Sequence, residues 1–147
     1  MTDYLINTRA YDKRDKADVD ALYLEADMGS PSTYDGITLA FDAQSDSSPG
    51  ALAALVRVEV WNAIAYINPI IVKKEYQRLG IGKQLMDNVM AQYPEVRLVA
   101  RGPAEPFYES LGFKPIAWDD IDVRYSEDCR SCPSREECNP VPMGWKA

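Results

Sequence analysis

Between residues 76 and 83 the chain reads YQRLGIGK, with Gly80 and Gly82 one residue apart and a helical pattern behind them. A glycine-bearing turn that leads a strand into a helix has a definite chemistry open to it. The first helical turn carries N–H groups with no internal partner, and that end of the helix behaves as about half a positive charge. Glycines let backbone approach a phosphate without Cβ atoms in the way. Charge-assisted hydrogen bonds are worth about 1.5–3 kcal/mol each, so three or four could hold a pyrophosphate with no lysine over it. Two familiar phosphate motifs do not fit. G-x-x-x-x-G-K-[ST] is absent, and G-x-G-x-x-G fails because position 85 is leucine. Taken alone, the glycine pair describes a structural turn as well as it describes an anion cradle.

Three cysteines, Cys129, Cys132 and Cys138, form C-x2-C-x5-C in CRSCPSREEC. C-x2-C is a zinc-knuckle spacing, but a fourth ligand is wanting beyond the acids Asp128, Glu136 and Glu137. No chemical role, redox behaviour and metal binding all stay open, and no metal ligand is assigned. The chain contains no histidine. That excludes a Ser-His-Asp or Cys-His hydrolase and any histidine-ligated metal enzyme.

These groups must be positioned by one domain of modal size, 147 residues with 46% hydrophobic and 27% charged side chains. A net charge of −7 lacks the basic stripe of a general nucleic-acid binder. It suits either a soluble surface or cationic small molecules and basic peptides. No apolar run approaches the ~18 residues of a membrane helix, and the polar N-terminus is no signal peptide, so cytoplasmic residence is the expectation.

YLINTR alternates as a first strand. Val19, Leu22, Tyr23 and Ala26 then keep helical spacing, with Asp15 or its neighbours placed to cap that helix and Gly29 to end it. Ile37, Leu39 and Phe41 mark a second strand. ALAALVRVEV and AIAYINPIIV read as a hairpin turning at Trp61-Asn62, with Leu55, Arg57, Glu59, Ile64 and Tyr66 on one face and the valines on the other. Pro69 cannot donate to a ladder and should sit at a bulge or a splay. Ile81, Leu85, Met86, Val89 and Met90 predict a helix that Pro94 stops. VRLVA is a strand, PAEPFYESLG a short helix with Phe107 in the core, and FKPIAW another strand. The order β-α-β-β-β-α-β-α-β points to a mixed α/β sheet with helices on both faces.

VKKEYQRLGIGKQLM carries the [QR]-x-x-G-x-[GA] pattern of the GNAT acyltransferases, and INPIIV before it and PFYESLGF after it stand in register with that superfamily's strand and second common motif. The chain resembles that family from residue 3 to about 118. The resemblance implies a mixed, mostly antiparallel central sheet flanked by helices, with a GNAT domain over 1–125 and a Cys-containing tail over 126–147 packed on the domain or on a partner subunit. It implies an N-acetyltransferase moving acetyl from acetyl-CoA directly to an amine of a small molecule or peptide, with neither nucleic acid nor membrane as partner and a homodimer left open. Gln77, Arg78, Leu79, Gly80, Ile81, Gly82 and Lys83 would bind the pyrophosphate, and main-chain groups of Ile70, Ile71 and Val72 the pantetheine arm. An N–H near Ile71 or Val72 would polarise the thioester carbonyl. Tyr108 stands where the family has its acid and would contact the coenzyme. Many members have a glutamate eleven residues ahead of the motif, and here that position is Tyr66. Glu59 is the candidate base, and Tyr66 and Asn68 are candidate acceptor contacts or water relays. The missing glutamate supports the alternative of a GNAT-fold CoA sensor that has lost catalysis, with a metal- or redox-responsive tail.

Overall fold

The computed structural model describes residues 4–44, 50–132 and 135–147, without the side chains of 128–131 and 135. Seven strands and five α-helices alternate along it: β1 (Ile6–Ala10), α1 (Lys16–Glu25), β2 (Ile37–Asp42), β3 (Leu52–Trp61), β4 (Ile64–Val72), α2 (Ile81–Gln92), β5 (Glu95–Ala100), α3 (Glu105–Ser110), β6 (Lys114–Pro115), α4 (Val123–Ser131), α5 (Arg135–Cys138) and β7 (Val141–Lys146). The strands follow the order β1-β2-β3-β4-β5-β7-β6. β1–β2, β2–β3, β5–β7 and β6–β7 are antiparallel, and β4–β5 is parallel. This is the mixed, mostly antiparallel sheet with flanking helices that the resemblance implies.

The chain divides into two compact units, one made of residues up to Glu59 with Ile67–Val89, the other of Val60–Tyr66 with Met90–Ala147. In the first, the apolar stripe of α1 (Val19, Leu22, Tyr23) packs on Ile37, Leu39, Leu55 and Ile71. Each such fully buried side chain contributes about 1.5–3 kcal/mol. The opposite face of β2 and β3 is buried as well, through Ala40, Ala54 and Val56, so these strands need cover on both sides.

Three local expectations move. Asp15 holds the N-cap position of α1 without capping it; its carboxylate instead takes Arg9 at 2.7 and 2.8 Å and the Asp12 N–H at 2.9 Å. The Arg9 hydrogen bonds hold the Asp15 carboxyl below its usual range. Helix α1 ends at Glu25, and Asp27 (φ 59°), not Gly29, supplies the left-handed residue. The hairpin turns at Asn62-Ala63 (φ 53° and 66°), one residue later than expected, as a type I′ turn demands two positive φ values. Moving the turn by one moves each cross-strand partner by two, so the two faces inferred for the hairpin survive.

In the second unit β7 lies between β5 and β6, with Val96↔Trp145 and Leu98↔Met143 on one side and Lys114↔Gly144 on the other. FKPIAW contracts to the two residues of β6 before a 3₁₀ turn at Trp118–Asp120. Tyr66, Ile121 and Tyr125 form a small core here, with Trp61, Ile64, Val99 and Ile116 around it.

Candidate active-site residues

The glycine pair opens α2. A 3₁₀ turn (Lys74–Tyr76) follows β4, and Gln77 Nε2 donates to the Val72 carbonyl at 3.0 Å, closing the base of the loop. Arg78 (φ 66°) and Gly80 (φ 81°) both turn left-handed before the helix begins at Ile81. The ladder of α2 starts with Gln84 N–H to the Gly80 carbonyl at 3.1 Å. The N–H groups ahead of Gln84 therefore stand at the positive end of the helix outside that ladder. A Cβ on Gly80 would meet nothing within 4 Å, so open space lies over this backbone and the positive φ is what requires glycine. Donors of this kind are ones an anion can use. Lys83 is drawn along the helix to Asp87 at 2.7 Å.

The loop is anchored from behind. Tyr76 donates to Asp42 Oδ2 at 2.9 Å and Tyr4 to Oδ1 at 3.1 Å, while the Gln84 amide donates to the Tyr4 carbonyl at 2.8 Å. The buried Asp42 carboxylate, first by that hydrogen bond, pushes the Tyr76 phenol up to about 12. Ile71 is buried in β4, with Ile70 and Val72 half-buried. The rungs that join β4 to β5 are Ala65↔Val96 and Tyr66↔Arg97, ahead of the cis Asn68–Pro69 bond.

Glu59 and Asn68 are brought together by a residue that the sequence did not single out. Arg57 Nη1 donates to Glu59 Oε1 at 3.2 Å and to the Asn68 carbonyl at 3.3 Å. Arg57 is only 7% exposed. Its isolation in the apolar run ALVRVEV was the available signal, because a buried cation needs a reason.

Tyr66 lies beneath α4. Its hydroxyl accepts the Asp122 N–H at 3.1 Å and its ring stacks on Tyr125 at 4.7 Å. The Trp61 indole donates to the Tyr125 hydroxyl at 3.0 Å, and the Arg124 guanidinium lies 3.7 Å from the Trp61 ring centre. Tyr108, on α3, is buried against Phe113 (5.9 Å) and Phe107 (5.0 Å), and burial pushes its phenol up to about 12. Phe107, expected in the core, is 37% exposed on the outer side of that short helix. Of the cysteines, Cys132 is exposed and Cys138 half-buried, both as free thiols, and the Cys129 side chain lies outside the described residues. Among the described residues no three His, Cys, Asp or Glu side chains gather as a metal site, and no helix is long and apolar enough to cross a membrane.

The profile of the acetyltransferase (GNAT) domain matches residues 39–115, more than half of the chain. The chain therefore belongs to the GNAT acetyltransferase family. A Bacillus subtilis relative, the uncharacterized N-acetyltransferase YitH, is 33% identical over 67 residues, 44% of this chain and 24% of its own length. N-acetylglutamate synthase from Neisseria gonorrhoeae, solved with coenzyme A and N-acetyl-glutamate, superposes with a TM-score of 0.76 at 13% identity, covering 99% of this chain and 36% of the synthase. Ard1 from Thermoplasma volcanium gives 0.69 at 16% identity, with 97% of each chain covered. Arabidopsis thaliana Naa50, bound to the bisubstrate analogue CoA-Ac-MVNAL, gives 0.67 at 14%, covering 97% of this chain and 99% of Naa50. The chain thus spans about a quarter of YitH and a third of the synthase.

Proposed function

We propose that the protein is an acetyl-CoA-dependent N-acetyltransferase that moves the acetyl group directly to the amine of a small molecule or peptide. The observation that carries this reading is the start of α2, where Arg78 and Gly80 turn left-handed, the helical ladder begins only at Gln84, and nothing lies within 4 Å of a Cβ built on Gly80. Neighbours solved with coenzyme A or a CoA-containing bisubstrate analogue support it.

Acetyl-CoA, when bound, supplies the activated acyl group. Residues Gln77 to Lys83 hold its pyrophosphate, mainly through backbone. Main-chain groups of Ile70, Ile71 and Val72, beyond the last rung of β4 with β5, take the pantetheine arm. An N–H at Ile71 or Val72 steadies charge on the carbonyl oxygen. Glu59, held beside Arg57, takes the proton of the acceptor ammonium, with Asn68 as an acceptor contact. Tyr108 gives a proton or hydrogen bond to the departing sulfur.

A second reading has one observation of its own. Tyr66 replaces the family's glutamate, and its hydroxyl is engaged by the Asp122 N–H just ahead of α4 and its ring by Tyr125 on α4, as a CoA sensor without catalysis would tolerate. Melting the protein with CoA and acetyl-CoA, and following thiol release across a panel of amines, separates the readings. The transferase reading expects stabilisation by about 2.7 kcal/mol at a hundredfold excess over Kd, together with amine-dependent thiol release. Stabilisation with no release for any amine leaves only the sensor, and no stabilisation removes both.

A further inference from the structure

Among the described residues two buried side-chain atoms have no hydrogen-bond partner, the Tyr23 hydroxyl and Arg57 Nε. They belong to one place. Tyr23, on α1, packs with Leu55 of β3, and Arg57 stands two residues on from Leu55, on the same face of that strand. The charges of Arg57 and Glu59 both act on the Tyr23 phenol, although burial is the larger cause of its rise to about 12. Both residues are more than nine-tenths buried. Buried donors in native proteins are almost always paired, and a guanidinium is the costliest donor to leave short. The partners Arg57 does have, at 3.2 and 3.3 Å, are long for charge-assisted bonds.

The pair of charges narrows what would complete this site. Arg57 and Glu59 together are neutral. A lone carboxylate or a lone ammonium docking there would leave one uncompensated charge in a poorly solvated place, whereas a zwitterion would not. A ligand with ammonium and carboxylate on one carbon matches two opposite charges 3.2 Å apart. Glu59, whose side chain is 23% exposed, opens that pair to solvent.

From this geometry we infer that the acceptor is a free α-amino acid, its carboxylate received by Arg57 Nε and the Tyr23 hydroxyl and its amine by Glu59. This rests on the transferase reading and names its substrate class. Arg57 and Tyr23 are then specificity-determining residues, and Glu59 meets the nucleophile itself.

The full chain is assayed for thiol release from acetyl-CoA with the common amino acids, their amides, the corresponding decarboxylated amines and aminoalkyl phosphates. At least one amino acid should exceed its own amide by about 10-fold or more in kcat/KM, because a site built to pair a polar group rejects the analogue that lacks it. Amides or simple amines reacting as well as the amino acids overturn the inference, as does a preference for an aminoalkyl phosphate. Tyr23→Phe removes an unpaired hydroxyl, so its melting temperature should hold or rise while KM for the amino acid increases several-fold and KM for acetyl-CoA stays put; an unchanged amino-acid KM overturns it. Arg57→Lys, which keeps the charge but not the Nε donor, should lose the amino acid's advantage over its amide. Calorimetric titration with amino acids and amides alone repeats the comparison without acetyl-CoA. Failure of CoA binding therefore tells against the transferase reading, and failure of the amino acids to outbind their amides tells against this inference.

Discussion

A phenol that serves a departing thiolate must still hold its proton at the pH where the acceptor amine is neutral. Burial keeps the Tyr108 phenol at about 12, so it does so across the working range. The same value limits what it can give. A free thiol titrates near 8.5, so passing the proton fully from a phenol at 12 runs uphill by about 3.5 units. On the proposed reading its larger contribution would then be a hydrogen bond to sulfur as charge develops there. Tyr108→Phe is expected to lower kcat by about 10²-fold with KM for acetyl-CoA nearly unchanged. The wild-type kcat profile should rise with pH and show no descent below pH 10. A descent that disappears in the Phe variant would instead mean a phenol titrating within the working range. The short helix that carries Tyr108 was legible because prolines open it and a Gly-Phe end closes it. Arg57 and Tyr23 were not, because an arginine in a strand and a tyrosine on an apolar stripe each have an ordinary structural explanation until their hydrogen bonds are counted.

At the scale of elements, the proposed reading places the coenzyme's pyrophosphate at the start of α2. Gly82 lies within the first turn of α2, where the proposed reading sets the pyrophosphate against the backbone. Gly82→Val should keep the melting temperature within a few degrees and abolish stabilisation by CoA, which paired melts with and without ligand decide. The strut behind the loop behaves differently. Asp42→Asn keeps an acceptor for one tyrosine but loses the charge that both Tyr4 and Tyr76 share. It is expected to raise the Kd for CoA several-fold while leaving the amine KM alone, a split that calorimetry and initial rates can read.

The glycine loop, β4 and α3 were foreseen in sequence because periodicity and punctuation agree there. The C-terminal part was not. Pro140, Pro142 and Gly144 argue against a paired strand, yet Pro142 and Gly144 both stand in the β5–β7 ladder, opposite Val99 and Arg97. Prolines cost a ladder only where an N–H is needed, and Pro142 supplies a carbonyl instead, to the Ile116 N–H at 3.0 Å.

Over the whole molecule, three phenols, Tyr23, Tyr76 and Tyr108, stand near 12 in the folded chain against about 10 when unfolded. A raised pKa favours the protonated fold. The advantage is fully present below pH 10 and is lost as the pH rises from there through 12, because the unfolded chain releases those protons first. Thermal melts should therefore be flat from pH 8 to about 9.5 and fall steeply by pH 11, with phenolate absorbance appearing together with unfolding. Phenolate absorbance that grows in ahead of unfolding would show those hydroxyls to be solvated.

Strand β7 carries a consequence for how the molecule is made. The strands on either side of it, β5 and β6, leave the ribosome first, and β6 pairs with nothing but β7 among the recorded rungs. During synthesis β5 must wait with an open edge for some forty residues, a template for any other extended segment. A released chain cut short before Val141 should be bound by chaperones and cut readily by protease, and the chain that includes β7 should escape both. The order in which the polypeptide is read out thus sets when the second unit can first exist.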